Sequence, residues 1–486
     1  MTDTTSLLLG SKHRHLHRRH AVVIGAGPNG LAAAIVLAQA GYGVQVHEAQ
    51  PTIGGGARTL PLTLPGFQHD FGSAIHAMAV GSPFFSSLPL NQHGVEWIHP
   101  AAPLAHPLDD GTAVMLERDL GDAEQALAAD GSRWRRIFEP MAENWPQLAE
   151  EALQPVLHIP RHPLLLARFG IPALMPANLF AGRFREARTR ALFAGIAAHS
   201  FLPLDAPLSS SGGIMLAAAA HAVGWPMARG GAQSITNALA SILQELGGCI
   251  YTNSPVTSLD GFARDTLFLC DISPRQLLAI TGHRLQQNFR QSLASFEPGP
   301  GTFKVDYALS EPIPWKAPDC LRAGTIHLGG SFAEIAASER AVADGQPPER
   351  PFVLLTQPTL FDKTRAPEGK QIAWVYCHVP SGSAFDMTER IEAQIERFSP
   401  GFRDCVLARY ISSPATLESM DANLLGGDIS GGAMTLWQTV FRPTRKGYAT
   451  SDQNIFLCSA STPGVGGVHG MCGYHAARVA LRNARV

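Results

Sequence analysis

Neither sign of charge prevails in the 486 residues: 38 lysines and arginines stand against 40 aspartates and glutamates, for a formal net charge of -2. A nucleic-acid binder needs a basic surface to neutralise phosphates, so this balance excludes that class of partner. Cysteine is scarce too. The seven, at 249, 270, 320, 377, 405, 458 and 472, include no C-x-x-C pair, which excludes zinc ribbons, redox dithiols and a disulfide scaffold. Such an odd, sparse set fits a reducing, cytoplasmic setting in which each thiol packs as a small hydrophobe. Tryptophan and tyrosine number only seven each. No internal repeat is present. Ala206 to Ala228 lacks all charged side chains but contains Pro207, Pro226 and Gly212-Gly213, and reads as a buried segment rather than a membrane span.

What is present is a long, folded, loop-rich chain. Hydrophobic residues make up 45%, and 47 glycines with 36 prolines stay below the level of low-complexity sequence. This length allows two or three domains. The basic stretch Lys12 to His20, followed by an apolar run ending in Ala38-Gln39-Ala40, imitates a signal peptide. A glycine pattern inside the run argues against one. The histidines from His13 to His20 belong to a flexible tail, residues 1–20, and no metal site is expected.

Ala21-Val22-Val23-Ile24 reads as a buried strand that runs into Gly25-Ala26-Gly27-Pro28-Asn29-Gly30. A helical pattern with Leu31, Ala34, Ile35 and Ala38 on one face follows, then a turn at Gly41-Tyr42-Gly43 and a second strand, Val44 to Glu48. In such a unit Gly25 makes the tight turn, Gly27 lets a pyrophosphate approach the backbone and Gly30 lets helix pack on strand. The helix start offers free N–H groups to the phosphates. Glu48, with Ala49 beside it, ends the second strand where a carboxylate accepts ribose hydroxyls. A dinucleotide site follows from the combination. No second fingerprint of this kind occurs, so NAD(P)H is not expected as the reductant.

Gly54-Gly55-Gly56-Ala57-Arg58-Thr59, and then Gly66 to Ser73, come next. With these segments the chain resembles the flavin amine oxidase and phytoene desaturase superfamily, over Ala21 to Leu481. The resemblance is nearest to the bacterial phytoene-dehydrogenase-related branch, through Gly224-Trp225-Pro226, Phe361 to Pro367, Gly427-Asp428-Ile429 and the terminal Gly-Val-His-Gly-Met-Cys-Gly. It implies an α/β fold: a Rossmann-like FAD-binding domain of the glutathione-reductase and amine-oxidase type, with a discontinuous α+β substrate domain. The FAD domain would take residues 21–105, 229–290 and 450–486, and the substrate domain 106–228 and 291–449. FAD would be held by Gly25, Gly27, Pro28, Asn29, Gly30, Glu48 and Ala49. Further contacts would come from Gly55, Gly56, Ala57, Arg58, Gly72, Ser73 and Ala74, from Val256 at the adenine, and from Gly466, Gly467, Val468 and His469 near the flavin. The helix from Tyr474 onward, with Arg478, Arg482 and Arg485 near its end, would point its start at the flavin pyrimidine. In one departure from the family, Leu259 to Asp271 runs on directly where a hairpin is usual.

Three residues are candidates for catalysis. Lys304, on a strand from Thr302 to Leu309 and sharing a face with Asp306, resembles the amine-oxidase lysine that reaches flavin N5 through a water. His76 and His469 can exchange protons near neutral pH. The expected activity is removal of hydride from a largely apolar small molecule, by an FAD-dependent dehydrogenase, desaturase, oxidase or isomerase. Oxygen or a quinone-type compound would accept the electrons, and a peripheral membrane contact is compatible with such a substrate. Amine-oxidase-like C–N oxidation, with Trp437 and Tyr448 as an aromatic cage, is the alternative within the superfamily. A non-catalytic scaffold retaining FAD is the alternative outside enzymes.

Overall fold

The computed structural model describes residues 19–464 and 466–484. The tail to residue 18, with His13, His15 and His17, lies outside the described residues, as does Arg485. Two sheets organise the chain. The first is parallel and five-stranded, in the order Ile455–Leu457, Leu267–Cys270, His20–Ile24, Gly43–His47, Cys249–Tyr251. Its strands are brought together from three separate parts of the sequence, each pairing in parallel with its neighbour. The central strand is apolar on both faces because both are covered. Ala21 and Val23 pack toward the helices Pro28–Gln39, Gln233–Glu245 and Met471–Asn483. Val22 and Ile24 pack toward Leu277, Ile280, Phe289 and Leu293 on the other side.

The second sheet has seven strands, ordered Val406–Ser412, Gly301–Leu309, Gln371–Val379, Val353–Thr356, Ala323–Leu328, Ala102–Pro107, Ala113–Leu116. All its pairings are antiparallel except that between Ala323–Leu328 and Ala102–Pro107. One face is a conventional core of Phe303, Val305, Leu355, Val375 and Cys377. It is closed by the amphipathic helix Thr388–Phe398 through Ile391, Ile395 and Phe398.

Several expected boundaries move. A division at 105/106 would cut the strand Ala102–Pro107, whose Ala102 and Ala105 bury in the core of the second sheet. A division at 290/291 would cut the helix Gln287–Ala294, whose Phe289 and Leu293, four residues apart, both pack under the parallel sheet. The tail also ends earlier than residue 20, since His20 is the first residue of the opening strand. The C-terminal helix starts at Met471 rather than Tyr474, after Gly470 in the left-handed region (φ 68°).

The C-terminal helix lies against the start of the Pro28–Gln39 helix with no room for a side chain at the crossing. A β-carbon on residue 473 would stand 1.8 Å from the Asn29 carbonyl oxygen. Gly473→Ala is therefore expected to destabilise by about 1 to 3 kcal/mol, the usual cost of overpacking. Gly170→Ala, at a helical position with nothing within 4 Å, is expected to be neutral or stabilising by up to about 1 kcal/mol. Denaturant midpoints of the two variants measure the difference.

Candidate functional site

At the carboxyl ends of the parallel strands opens a cavity of about 330 Å³. The fingerprint loop enters it through Gly25 and Gly27, the second strand through Glu48 and Ala49, and the next glycine turn through Gly55 and Arg58. Val256 closes the side where an adenine was expected, between Pro255 and Thr257. Glu48 is held at the rim: one carboxylate oxygen accepts the Ala26 N–H (2.8 Å) and the other the Gln50 N–H (2.9 Å). Pro28 sits in the first turn of the helix behind the loop, and Gly27 gives that helix no side-chain cap. Pro28 has no N–H to offer, and the Gly30 N–H in the same turn donates to the Asp271 carboxylate (2.7 Å). This set fits a dinucleotide: a glycine backbone that a pyrophosphate can approach closely, a positive helix end behind it, and a fixed carboxylate for the ribose.

The Gly54–Arg58 turn folds onto the fingerprint loop, so that a β-carbon on residue 55 would lie 3.3 Å from the Gly27 Cα. Arg58 donates to the Gly55 carbonyl (2.9 Å) and the Met420 carbonyl (2.8 Å), and its guanidinium lies 4.7 Å from the centre of the Phe71 ring. Gly56 faces open space, Ala57 is buried, and Gly72 crosses so close to Gly56 that a β-carbon there would be 2.5 Å from the Gly56 carbonyl oxygen. Ser73 Oγ lies 3.3 Å from His76 Nε2. Ala74 is buried against Leu354, Trp374 and Tyr376 of the second sheet. The segment 72–74 therefore spans from the cavity region to that sheet. At the other end of the chain Gly466 packs on Ser430, where a β-carbon would be 2.9 Å from its carbonyl oxygen. Val468 is half-buried against the main core.

The three candidate catalytic residues are all buried. Lys304 forms an ion pair with Asp306 and lies 5.7 Å from the centre of the Trp374 ring. Burial pulls the Lys304 ammonium down, against the pull of Asp306, and pushes Asp306 up to about 6. His76 is driven down to about 4 by burial, so it is a neutral imidazole at physiological pH. The Nδ1 of His469 accepts the Met471 N–H (3.0 Å), and its carbonyl accepts from Ser82 Oγ (2.7 Å). That imidazole nitrogen is therefore engaged in starting the C-terminal helix. Trp437 stands exposed against Phe441 and Arg445, and Tyr448 is buried with its hydroxyl on the Pro463 carbonyl. The aromatic pair that does meet is Trp374 with Tyr376, edge to face at 5.1 Å.

Two groups escaped the sequence reading. The first is the inner face of the second sheet, where Trp374, Tyr376 and His378 alternate along one strand and Thr302 and Lys304 stand beside them on the next. Glu339, from the helix Phe332–Ala343, accepts from His378 Nδ1 at 2.8 Å. This leaves Nε2 as the basic nitrogen. Among the described residues, His378 Nε2 and Trp374 Nε1 have no hydrogen-bond partner. A period-two reading of Ile372, Trp374, Tyr376 and His378 would have found this face. The second is Asp271, whose carboxylate accepts the Gly30 N–H at 2.7 Å at the mouth of the fingerprint loop. Burial, with Asp421 and Glu48 nearby, pushes Asp271 up to about 8. No local pattern marks it, because it reaches the loop from just past the strand Leu267–Cys270, 241 residues along the chain.

Comparison with known proteins agrees with this geometry. Residues 23–86 match the NAD(P)-binding Rossmann-like domain family. The chain is 25% identical to pyridine nucleotide-disulfide oxidoreductase domain-containing protein 2 of Rattus norvegicus, covering 96% of this chain and 94% of that protein. Over 50% of this chain and 48% of the other, it is 26% identical to the 4,4'-diapophytoene desaturase of Methylomonas sp. In fold it resembles a redesigned putrescine oxidase, with a TM-score of 0.61, 17% identity, and coverage of 96% of this chain and 99% of that one. The chain is an oxidoreductase with a flavin or nucleotide cofactor.

Asp271 is expected to make cofactor retention pH-dependent. Below about 8 it carries a proton and is neutral; above that it sets a negative charge beside the phosphate-binding turn. Retention by the wild type is expected to weaken as the pH rises through that value, and Asp271→Asn, which keeps an acceptor for Gly30, to be flat. Dissociation constants measured from pH 6 to pH 9 check this, and parallel profiles for the two proteins would refute it.

Proposed function

We propose that this chain, a flavin-type oxidoreductase of the amine oxidase and phytoene desaturase superfamily, binds FAD and removes hydride from a largely apolar small molecule. The observation that carries the reading is the route of residues 72–74. They leave the Gly54–Arg58 turn, which lines the dinucleotide cavity, and end against Trp374 and Tyr376 on the inner face of the second sheet. A flavin continuing from the pyrophosphate toward that face would pass between the sheets. Gly25, Gly27 and the start of the Pro28–Gln39 helix would hold its pyrophosphate, Glu48 its ribose and Val256 its adenine. When bound, FAD supplies a two-electron acceptor for hydride.

This chain's own residues would orient the substrate and take the proton. Leu354, Trp374 and Tyr376 present an apolar wall. His378 Nε2, with the imidazole fixed by Glu339, accepts the proton that accompanies hydride loss, and Glu339 stabilises the imidazolium that results. A second reading, oxidation of an amine, is favoured by the edge-to-face pair of Trp374 and Tyr376 with Lys304 beside it. Anaerobic bleaching of the flavin separates the two. Apolar hydrocarbons or alcohols bleach it under the first reading, and primary amines under the second. A flavin that no compound of either kind bleaches speaks for the non-catalytic scaffold.

Purified protein is expected to release FAD, identified by mass, and FMN alone would overturn the reading. Glu48→Ala is expected to weaken FAD binding at least tenfold, since a charge-assisted hydrogen bond contributes about 1.5 to 3 kcal/mol.

Lys304→Met alone strands Asp306 as an uncompensated buried carboxylate. It is expected to destabilise the fold by about 3 to 5 kcal/mol. Lys304→Met with Asp306→Asn removes both charges and is expected to recover most of that loss while keeping FAD. If the ammonium faces the flavin, reoxidation by the acceptor slows in the double variant by about 10- to 1000-fold. Stopped-flow traces that match the wild type would make the pair purely structural.

A further inference from the structure

We infer that the segment from Val156 to Leu179 is a docking face for an anionic lipid surface, on which the protein lies without crossing. Fifteen large apolar side chains are exposed among the described residues, and seven of them fall in this one stretch. Val156, Leu157 and Ile159 stand on a loop, with Ile159 93% exposed. Leu164, at 87%, and Ile171 follow on the helix Pro163–Ala173, and Leu174 and Leu179 come just after it.

The exposure is built into the fold. The carboxylate of Glu151, itself buried, accepts from His158 Nε2 (2.5 Å) and from the N–H groups of Arg161 (2.7 Å) and His162 (2.8 Å). The loop is thereby clasped so that its apolar side chains turn outward. In the helix, Leu165 and Phe169, four residues apart, pack on the core. Leu164, Arg168 and Ile171, at the i, i+4, i+7 spacing of a single face, project away from it. Large apolar side chains exposed together along one stretch of chain mark an interaction site.

Charge selects the partner. Between Glu151 and Glu186 the sequence contains no acidic residue, whereas Arg161, Arg168, Arg183 and Arg185 lie in it and are exposed. The molecule as a whole carries a formal charge of -2, so this is a local concentration of positive charge around apolar side chains. That combination matches the interface of a bilayer with anionic head groups, where apolar groups enter the acyl boundary and arginines meet phosphates. Spanning is excluded by length: the helix has 11 residues, about 16 Å of rise, against a hydrocarbon core of about 30 Å. Among the described residues no helix is long and apolar enough to cross a membrane.

The test is flotation of the full-length, cofactor-loaded protein with two kinds of vesicle, phosphatidylcholine alone and phosphatidylcholine mixed in equal parts with phosphatidylglycerol. The wild type is expected to float with the mixed vesicles, to stay in the aqueous fraction with phosphatidylcholine, and to be released by added salt. Each arginine near an anionic surface strengthens binding about fivefold. Arg161→Glu with Arg168→Glu should therefore weaken it by about 25-fold or more, and Ile159→Asp with Leu164→Asp should abolish it. These side chains are exposed, so thermal stability and the flavin spectrum should not change. Wild-type protein that stays in the aqueous fraction, or that binds both vesicles equally and regardless of salt, overturns the inference. So does a dimer that Ile159→Asp with Leu164→Asp dissociates, since the face would then belong to a second copy of the chain.

Discussion

Two backbone approaches set the geometry on which the site depends. A β-carbon on residue 30 would stand 2.1 Å from the Gly25 carbonyl oxygen, and one on residue 473 would stand 1.8 Å from that of Asn29. With only hydrogen at both positions, the Pro28–Gln39 helix settles onto the first strand and the Met471–Asn483 helix settles onto the start of Pro28–Gln39. Two helix N-termini, from opposite ends of the chain, are thereby brought together at the carboxyl edge of one parallel sheet. Neither Gly27 nor Gly470 supplies a side-chain cap. Side chains from elsewhere take part of each first turn instead, Asp271 accepting the Gly30 N–H and His469 Nδ1 the Met471 N–H, while the positive ends of both helices add at that edge. Close packing and binding capacity are two consequences of the same missing side chains.

The second sheet is tied to this edge by buried charge. Asp70 pairs with Arg365 at 3.0 Å, both almost wholly buried, and accepts in addition from Thr59 Oγ1 and the Ala232 N–H (both 2.8 Å). Next to it, Asp306 pairs with Lys304 and lies 3.6 Å from His69 Nδ1. His69 is driven down to about 3 by burial and by the two cations, so it stays neutral between them. Buried ion pairs contribute little net stability, because desolvation offsets most of the attraction. What this cluster does is orient. It fixes the short hairpin of Thr59–Leu60 and His69–Asp70 against the strand Gly301–Leu309. Gly72, Ser73 and Ala74 must then pass from one sheet to the other.

The seating of the Pro28–Gln39 helix at Gly30 was legible in the sequence, whereas the crossing at Gly473 and the buried charge were not. Strand, glycine loop, helix and terminal acid from Ala21 to Glu48 are contiguous, and each glycine there does a local job that spacing reveals. Resemblance then extended the reading to Arg58, Gly72 and Val256; Arg58 and Val256 line the cavity, and Gly72 packs against Gly56. Asp271 could not be found this way, because its importance comes from a hydrogen bond to a residue far along the chain. The boundary strands failed for a related reason. Ala102–Pro107 follows directly on the nucleotide half but pairs with Ala323–Leu328, more than two hundred residues later. Proline-rich composition cannot report that pairing. Lys304 and Asp306 were correctly placed on one strand face, but their burial depends on Trp374 and His69 from other segments.

The two faces of the seven-stranded sheet differ in a way that stability alone does not explain. On the side closed by the helix Thr388–Phe398, residues 303, 305, 355, 375 and 377 are apolar, as a buried face should be. On the opposite side the same strands carry Thr302, Lys304, Asp306, Thr356, Trp374 and His378, and these too are buried. Among the described residues, the side-chain oxygens of Thr302 and Thr356, Asp306 Oδ1, Trp374 Nε1 and His378 Nε2 have no hydrogen-bond partner. Left so, each costs about 1 to 3 kcal/mol. A sheet able to bury valine and isoleucine on one face has no structural need for this burden on the other. The unmet donors and acceptors are better understood as contacts kept for a bound molecule, directed inward by the two-residue period of the strands. The apolar Leu354 and Ala74 lie beside them, and under the proposed function they would meet the hydrocarbon part of that molecule. On the function proposed above, a ligand that satisfied only one half of this surface would leave the other half's cost in place, which is the physical ground for proposing a substrate that is apolar along its length and polar at the point of reaction.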